Sequence, residues 1–181
     1  MEQATIMQTA KNPQAQKKDG IPDGKQPRIR RVVAFVGSPR RRATYEAVQE
    51  LETSLKSHAP VDFEYVFLAD SHLGFCRGCK LCFDKGEEFC PSRDDRDSLL
   101  EKMTGADGVI FATPNYSFHV PALMKNLLDR LGFVFHRPRF FGKAFTALVA
   151  QGIFGGASIQ RYLETMGSKD RDSDGTSEDE C

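Results

Sequence analysis

The sequence predicts an α/β fold in which a doubly wound parallel sheet is covered by helices on both faces. Between about residues 28 and 167, short apolar runs of strand length alternate with segments whose apolar residues recur at helical spacing. This alternation is typical of βαβ units, in which each helix crosses over the sheet to the next parallel strand. The length of 181 residues allows one domain of ordinary size.

Four strands are predicted from apolar runs that end at turn residues. Residues 32–36 are continuously apolar and stop at Gly37-Ser38-Pro39, a pattern typical of a buried parallel strand. The other predicted strands cover residues 63–68, 108–112 and 144–150. Each is followed by a predicted helix, so that the helices cover residues 43–57, 94–103, 121–131 and 156–166.

The flanks of this unit differ from it in composition. Residues 1–27 are rich in Gln, Lys, Pro and Gly and lack a periodic apolar pattern. Residues 168–181 carry six acidic residues against two basic ones and almost no apolar side chain. Such segments bury too little surface to fold. We therefore predict a disordered segment at 1–27, a folded domain at 28–167 and an acidic disordered tail at 168–181.

Charge and hydropathy exclude several classes of protein. Lys plus Arg and Asp plus Glu both number 25, which argues against a nucleic-acid-binding protein with a basic surface. No apolar run approaches the ~18–20 residues that span a bilayer. The N-terminal residues lack the apolar stretch of a secretion signal, which predicts a cytoplasmic protein whose cysteines remain reduced.

Four of the five cysteines form a cluster with regular spacing. Cys76, Cys79, Cys82 and Cys90 follow the pattern C-x2-C-x2-C-x7-C, and Pro91 follows the last of them. Thiolates spaced this way can converge on a metal or iron–sulfur centre. They could instead act as redox thiols, hold a structural zinc ion, or persist without a bound centre. The cluster follows the second predicted strand, at the carboxyl edge of the sheet where ligands of open α/β folds bind.

The loop after the first strand predicts a phosphate site. Residues 37–44 lead from a buried strand into a helix N-terminus, whose free backbone N–H groups favour an anion. Ser38 and Thr44 add hydroxyl groups, and three consecutive arginines add positive charge. The loop lacks the glycine and lysine pattern of nucleotide-binding loops, so a monophosphate fits better. The alternative is a solvated basic turn that only caps the helix.

Two further loops could hold a planar ligand at the same edge. Tyr116 and Phe118 offer ring faces within residues 113–121. The alternative is a simple connection whose aromatic side chains only cover the end of the sheet. Glycines in residues 151–157 permit close approach of the backbone to a ligand. Of the four histidines, only His119 is predicted to face this site. We predict no catalytic acid or base.

Three segments resemble a known family. They are VAFVGSPRRRAT at 33–44, CRGCKLCFDKGEEFC at 76–90 and ADGVIFATPNYSFHVPALMKNLLDR at 106–130. Together they are similar to the flavodoxin-like NADPH-dependent FMN reductase superfamily, and the cysteine run is most similar to its iron–sulfur flavoprotein branch. The resemblance covers about residues 30–166.

The resemblance implies a flavodoxin-like parallel sheet and a tightly held FMN. It implies that Ser38, Arg40 and Thr44 bind the FMN phosphate, and that the four clustered cysteines hold a [4Fe–4S] cluster. Related proteins are usually homodimers or homotetramers. The residues implied to line the isoalloxazine rings are Pro114, Asn115, Tyr116, Ser117, Phe118 and Gly152.

The resemblance also implies a function, with one departure from the family pattern. The expected activity is FMN-dependent NAD(P)H oxidoreduction, which passes electrons to a quinone, another small acceptor or a partner protein, either directly or through the cluster. The alternatives are an electron carrier that does not use a nicotinamide and a zinc-stabilised binding protein. The family continues into a fifth strand, whereas this sequence predicts only four, in the order 2-1-3-4 that the resemblance implies. Without that strand, we expect Phe145, Ala147 and Val149 to be exposed and activity to be weakened.

Overall fold

The computed structural model describes residues 28–137, 139–152 and 154–168. Four strands, β1 (Arg30–Val36), β2 (Val61–Phe67), β3 (Gly108–Pro114) and β4 (Ala144–Ala150), form one parallel sheet. The strand order is β2-β1-β3-β4, which confirms the predicted fold class. The predicted terminal segments 1–27 and 168–181 lie outside the described residues, apart from Ser168 at the end of the last helix.

Helices connect the strands in the predicted order. They are α1 (Ala43–His58), α2 (Leu81–Asp84), α3 (Arg96–Gly105), α4 (Ala122–Arg130) and α5 (Gly156–Ser168). Two short 3₁₀ turns, Glu87–Phe89 and Gly132–Phe135, lie in the connections. None of the helices in the described ranges has the length and apolar character that a membrane span requires.

The two faces of the sheet have separate apolar cores because successive side chains of a strand point in opposite directions. On one face, Ala34 and Ile110 pack with Val48 of α1. On the other face, Phe35 and Phe111 meet edge to face, with ring centroids 5.9 Å apart, and pack with residues of α3, α4 and α5. Every residue of β3 is buried, as expected for a central parallel strand.

At the β4 edge of the sheet, the expected exposure of apolar side chains is only partly observed. Ala147 is buried, and Phe145 and Val149 are half-buried. The ring of Phe145 packs edge to face on Phe111 at 5.1 Å, and the backbone of Gly167 in α5 approaches the same ring. The last turn of α5 therefore covers much of the apolar face of β4.

Two features of the chain differ from the predicted pattern. Thr113 and Pro114, predicted as loop residues, complete β3, and Pro114 pairs with Ala150 of β4. Proline is compatible with this last position because the ladder hydrogen bond is made by the next residue, Asn115, whose N–H donates to Ala150 O at 2.8 Å. The short helix α2 and the turn Glu87–Phe89 were not predicted, since the cysteine segment that contains them has no apolar period.

Candidate functional site

The loops after β1, β3 and β4 enclose one open pocket of about 610 Å³. It lies beyond the carboxyl ends of these strands, where ligands bind in open α/β sheets. The structure thus brings together residues from three separate segments of the sequence. The residues predicted to bind FMN that line this pocket are Ser38, Arg40, Thr44, Pro114, Asn115, Tyr116 and Gly152, and Arg42 and Gln151 join them.

The loop after β1 forms a tight turn that leads into α1. The Ser38 hydroxyl donates to Arg40 O at 2.9 Å and accepts from the Arg40 N–H at 3.2 Å. Ser38 and Thr44 are buried although both line the pocket. No side chain caps the N-terminus of α1. Its first N–H groups are therefore available to an anion in the pocket, and the helix dipole favours negative charge there.

Two of the three arginines of this loop have defined partners. Arg40 Nη2 donates to the Tyr116 hydroxyl at 3.0 Å, which connects the loop after β1 to the loop after β3. Arg41 points away from the pocket: it pairs with Asp70 at 3.0 Å and stacks over the ring of Phe67. Arg40 and Arg42 consequently supply the positive charge of the pocket.

A reverse turn with an unusual backbone follows Asn115. Tyr116 and His119 exchange both backbone hydrogen bonds, at 3.1 and 3.0 Å. Ser117 and Phe118 between them have φ values of +52° and +63°, in the left-handed region that costs a residue with a Cβ about 1–2 kcal/mol. Such strain clusters at ligand-binding sites.

The turn presents Phe118 to solvent at the rim of the pocket. Phe118 is 63% exposed and stacks on the exposed ring of Phe154, with centroids 5.3 Å apart. Ser117 and Phe118 do not line the pocket itself, in contrast to the other residues predicted to contact the isoalloxazine. The aromatic pair therefore forms a platform beside the pocket.

Asn115 carries a buried polar atom that has no partner. Its Nδ2 donates to Phe154 O at 2.9 Å, which ties the loop after β3 to the loop after β4. Its Oδ1 is buried without a hydrogen bond among the described residues. Because an unpaired buried acceptor costs about 1–3 kcal/mol, Asn115 Oδ1 is a candidate acceptor for a donor group of a ligand. The N–H group of an isoalloxazine ring is a donor of this kind.

The histidine predicted to face the site lies elsewhere. The ring of His119 packs against Tyr162 of α5 at 4.9 Å, and His119 does not line the pocket. The prediction of its orientation was therefore wrong, because the tight turn at Ser117 and Phe118 rotates the following side chain toward α5.

All four clustered cysteines line a second cleft of about 500 Å³. Cys76 and Cys79 are exposed, whereas Cys82 and Cys90 are half-buried. Burial raises the pKa of the Cys82 thiol, and the nearby Cys90 and Cys76 raise it further. Within the described part of the chain, no three His, Cys, Asp or Glu side chains converge closely enough to hold a single metal ion. The second cleft shares no lining residue with the first pocket.

A buried ion pair anchors the cysteine loop to α4. Arg130, at the end of α4, donates to both carboxylate oxygens of Asp94, at 2.6 and 2.9 Å, and to Gly74 O at 2.8 Å. Asp94 also accepts from the N–H groups of Gly74 and Arg96. Burial alone raises the pKa of Asp94, but these hydrogen bonds outweigh it and hold the pKa below its ordinary value.

The same arginine reaches the cysteines. Arg130 Nη2 lies 3.9 Å from Cys90 Sγ, and the buried Arg96 lines the same cleft. Sequence analysis missed both arginines as site residues. The signal was present, since Arg130 ends the third resembling segment, but a charged residue at a helix end is more often exposed.

Comparison with known proteins connects this geometry to a family. The sequence model of the NADPH-dependent FMN reductase family matches residues 30–169. The chain belongs to the NADPH-dependent FMN reductase family. This membership confirms the resemblance noted in the sequence, and the match includes both the first pocket and the cysteine cleft.

The curated relatives of this family member include several proteins named iron–sulfur flavoprotein. One from Archaeoglobus fulgidus is 36% identical over 62% of this chain and 50% of its own length. One from Methanocaldococcus jannaschii is 33% identical over 75% of this chain and 66% of its own length. The chain thus spans between half and two thirds of the length of these relatives.

A solved structure agrees on the fold. An azoreductase from Bacillus anthracis superposes with a TM-score of 0.60 at 17% identity, covering 79% of this chain and 82% of its own. At this level of identity the likeness concerns the fold alone.

Proposed function

We propose that this member of the FMN reductase family is an FMN-dependent NAD(P)H oxidoreductase. The observation that carries the proposal is the first pocket, which is lined by the cationic, uncapped N-terminus of α1 and by Asn115, whose buried Oδ1 has no partner among the described residues. A ligand that satisfies both has an anionic end and, at its other end, a hydrogen-bond donor for Asn115. FMN has both.

The phosphate end of FMN would be held by the loop after β1. Ser38, Arg40 and Thr44 line the pocket beside the uncapped N-terminus of α1. Hydrogen bonds to charged groups are stronger than those between neutral groups, so the Ser38 hydroxyl gains by exchanging its contact with Arg40 O for a phosphate oxygen. Arg42 would add a second cation.

The ring end would lie between the loops after β3 and β4. Asn115 Oδ1 would accept from a ring N–H, and Tyr116 and Gly152 would border the rings. Apart from its chain neighbours, no described residue has an atom within 4 Å of a Cβ built on Gly152, so the backbone there leaves open space for a ring edge. Pro114 would form the floor, while Ser117 and Phe118 would border the outer face of the rings.

When bound, FMN supplies the chemistry of accepting a hydride from a nicotinamide and returning electrons to an acceptor. The protein itself would bind FMN, orient its ring system and stabilise the negative charge that the ring system gains on reduction. Backbone N–H groups near Tyr116 would stabilise negative charge on the reduced ring system, as preorganised dipoles do for developing anions. We assign no side chain as a catalytic acid or base.

We further propose that Cys76, Cys79, Cys82 and Cys90 hold a [4Fe–4S] cluster. Each thiolate of such a cluster binds a different iron, so the four sulfurs need not converge on one point. A zinc ion, in contrast, needs all its ligands about 2.0–2.3 Å from one centre. The four cysteines line one cleft, and two successive x2 spacings are less typical of zinc sites than C-x2-C pairs far apart in the sequence.

The proposal also covers the electron acceptor and the oligomeric state of the protein. The exposed platform of Phe118 and Phe154 suits a flat aromatic acceptor such as a quinone, and electrons could also leave singly through the cluster to a redox partner. We expect a homodimer or homotetramer that works in the reducing environment of the cytoplasm, where a thiolate-bound cluster persists.

One preparation tests the whole proposal. The protein is purified without oxygen, its absorption spectrum is recorded, and iron, sulfide and zinc are quantified. We expect bound flavin that bleaches on addition of NADH or NADPH, together with iron and sulfide in equal amounts. Flavin that the nicotinamides do not bleach would instead identify an electron carrier. A colourless protein that contains zinc, and that stays colourless with excess FMN, would refute the proposal.

A further inference from the structure

We propose that Arg130, held by Asp94, supplies the positive charge that stabilises the reduced state of the iron–sulfur cluster in the cysteine cleft. The inference rests on the proposed function, because it concerns the cluster assigned there to Cys76, Cys79, Cys82 and Cys90. It assigns Arg130 as a positioning and charge-balancing residue, and not as a cluster ligand.

The first argument is the geometry of Arg130. Its side chain is 2% exposed, and its guanidinium is held flat against Asp94 by two hydrogen bonds. A third bond to Gly74 O fixes its position relative to the cysteine loop. With these contacts satisfied, Nη2 also lies 3.9 Å from Cys90 Sγ. The guanidinium therefore bridges the two groups, since the same Nη2 that donates to Asp94 Oδ1 also lies against the Cys90 sulfur.

The second argument is that a purely structural anchor does not need this charge. A buried ion pair is costly to desolvate, and well-packed apolar residues of similar volume often stabilise a protein as much or more. A buried cation beside a cysteine is useful where the sulfur is ionised. Four thiolates outweigh the charge of an iron–sulfur core, so the cleft would hold a net negative centre.

The third argument is the charge of the cleft as a whole. Its lining includes four cationic side chains and only one carboxylate. That carboxylate, Asp129, is already paired with Lys125. Of the cations, only Arg96 and Arg130 are buried, and each is paired with a carboxylate, Asp97 and Asp94 respectively, at 2.6 Å. The charge that acts on Cys90 is therefore set by both members of the Arg130–Asp94 pair. The four cationic residues are Arg77, Lys80, Arg96 and Arg130.

These contacts have a consequence for the reduction potential. Hydrogen bonds to the sulfurs and the net charge around a cluster help to set its potential. Reduction adds one electron to the centre and makes it more negative, while no bond is formed or broken. A buried cation at Cys90 stabilises the reduced form more than the oxidised form, so Arg130 raises the potential.

The test compares the midpoint potentials of the reconstituted cluster in four full-length proteins. Wild type, Arg130→Gln, Asp94→Asn and Arg93→Gln are incubated with ferrous iron and sulfide without oxygen. Dithionite then supplies the electron, and the reduced cluster is followed by electron paramagnetic resonance. Arg93 is the matched control, because it is an exposed arginine three residues after Cys90.

Arg130→Gln and Asp94→Asn, the two variants of the ion pair, should shift the midpoint potential of the cluster in opposite directions. Arg130→Gln removes the cation, and we expect the reduced form to lose at least a factor of about ten in relative stability, which is a fall of about 59 mV for one electron. Asp94→Asn keeps Arg130 but removes the carboxylate that neutralises it, so the potential should rise. Arg93→Gln should match wild type, because the charge of an exposed side chain is screened by solvent.

Opposite shifts distinguish an electrostatic role from a structural one, since damage to the loop would move both variants the same way. Equal potentials in all four proteins, or shifts of the same sign in the two variants of the ion pair, would overturn the inference and leave the proposed cluster intact. If Arg130→Gln takes up no iron, the sign of the shift in Asp94→Asn decides. Failure of the wild type to take up iron would refute the proposed cluster and this inference with it. Flavin content, measured in parallel, reports on the separate FMN pocket.

Discussion

Arg40 and Tyr116 join the two loops that would hold opposite ends of one ligand. The guanidinium of Arg40 donates to the Tyr116 hydroxyl at 3.0 Å, although 76 residues separate them in the chain. Arg40 lies in the turn ordered by Ser38, and Tyr116 starts the strained turn that displays Phe118. The contact therefore couples the phosphate end of the pocket to its ring end.

This coupling can be measured by a double-mutant cycle. Tyr116→Phe keeps the ring but removes the acceptor that positions Arg40, and Arg40→Gln removes the cation. We expect each change to lower FMN affinity about 2–10-fold, equivalent to the net 0.5–1.5 kcal/mol of one hydrogen bond. Because both act through the same contact, the double variant should lose less than the sum of the two. Strict additivity, measured by fluorescence titration of the apoprotein with FMN, would show that Tyr116 does not position Arg40.

The hydroxyl groups of the first loop should contribute to FMN retention. Ser38→Ala and Thr44→Ala each remove a buried hydroxyl from the pocket lining. Each loss should cost about 0.5–2 kcal/mol if the hydroxyl makes one hydrogen bond to the phosphate. The measurement is the FMN dissociation constant. Ser98→Ala, at an exposed position of α3, is the control that should not change it. Unchanged affinity in both loop variants would place the phosphate elsewhere.

The strands could be predicted from sequence because burial leaves a continuous apolar signature. β1 and β3 contain buried, unbroken apolar runs, and the alternation with helices predicted a parallel sheet, whereas the strand order came from the family resemblance. Ser38, Thr44 and Asn115 were identifiable as pocket residues for a related reason. Ser38 and Thr44 lie in the connection from β1 into α1, and Asn115, which the family resemblance named, directly follows β3. Parallel strands bring their carboxyl ends to one edge of the sheet.

What sequence reasoning missed depends on long-range contacts and on local backbone geometry. The packing of His119 on Tyr162 follows from two left-handed residues that lack the glycine typical of such turns. The burial of Arg130 depends on Asp94, which is 36 residues away, and neither residue alone predicts the pair. The cysteine spacing indicated a metal or iron–sulfur centre, but it did not predict that arginine side chains would line the same cleft.

Replacing one exposed cysteine should separate the two proposed cofactors. Cys79 is exposed, so Cys79→Ser removes a thiolate without creating a cavity in the core. The variant should lose the broad visible absorption of the cluster and its iron while keeping flavin, because the two clefts share no residue. Cys181→Ser, outside the cluster and outside the described residues, is the matched control. Full iron content in Cys79→Ser would show that this cysteine is not a ligand.

The ion pair between Asp94 and Arg130 should also be visible in the stability of the domain. Asp94→Asn leaves the buried guanidinium without a counter-charge, and we expect a loss of about 3 kcal/mol at pH 7, as for other broken buried pairs. Urea denaturation measures it. Lys125→Met breaks an exposed pair on the same helix and should cost less than about 1 kcal/mol.

The pH dependence of this stability has a defined sign. Because the hydrogen bonds to Asp94 hold its pKa below the ordinary value of about 3.9, protonation favours the unfolded chain. The contribution of the ionised Asp94 to the free energy of unfolding is therefore fully present at neutral pH, and it is lost as the pH falls below about 4. The difference in unfolding free energy between wild type and Asp94→Asn should narrow over the same range. A difference that is constant down to pH 3 would contradict the charged state of the pair.

Replacing Phe118 tests whether the strained turn at the rim of the pocket holds an aromatic ring in place to bind the electron acceptor. With φ at +63°, this residue occupies a conformation that glycine adopts without strain, so Phe118→Gly relieves about 1–2 kcal/mol while losing the stack on Phe154. These effects nearly cancel, and we expect a change in unfolding free energy of less than about 1 kcal/mol. The KM for a quinone acceptor should nevertheless rise about 2–10-fold, the equivalent of one lost aromatic contact of 0.5–1.5 kcal/mol. Phe141→Ala, at an exposed position in the loop before β4, is the control for loss of a surface ring. A normal KM in Phe118→Gly with full FMN occupancy would show that the ring has no part in holding the acceptor.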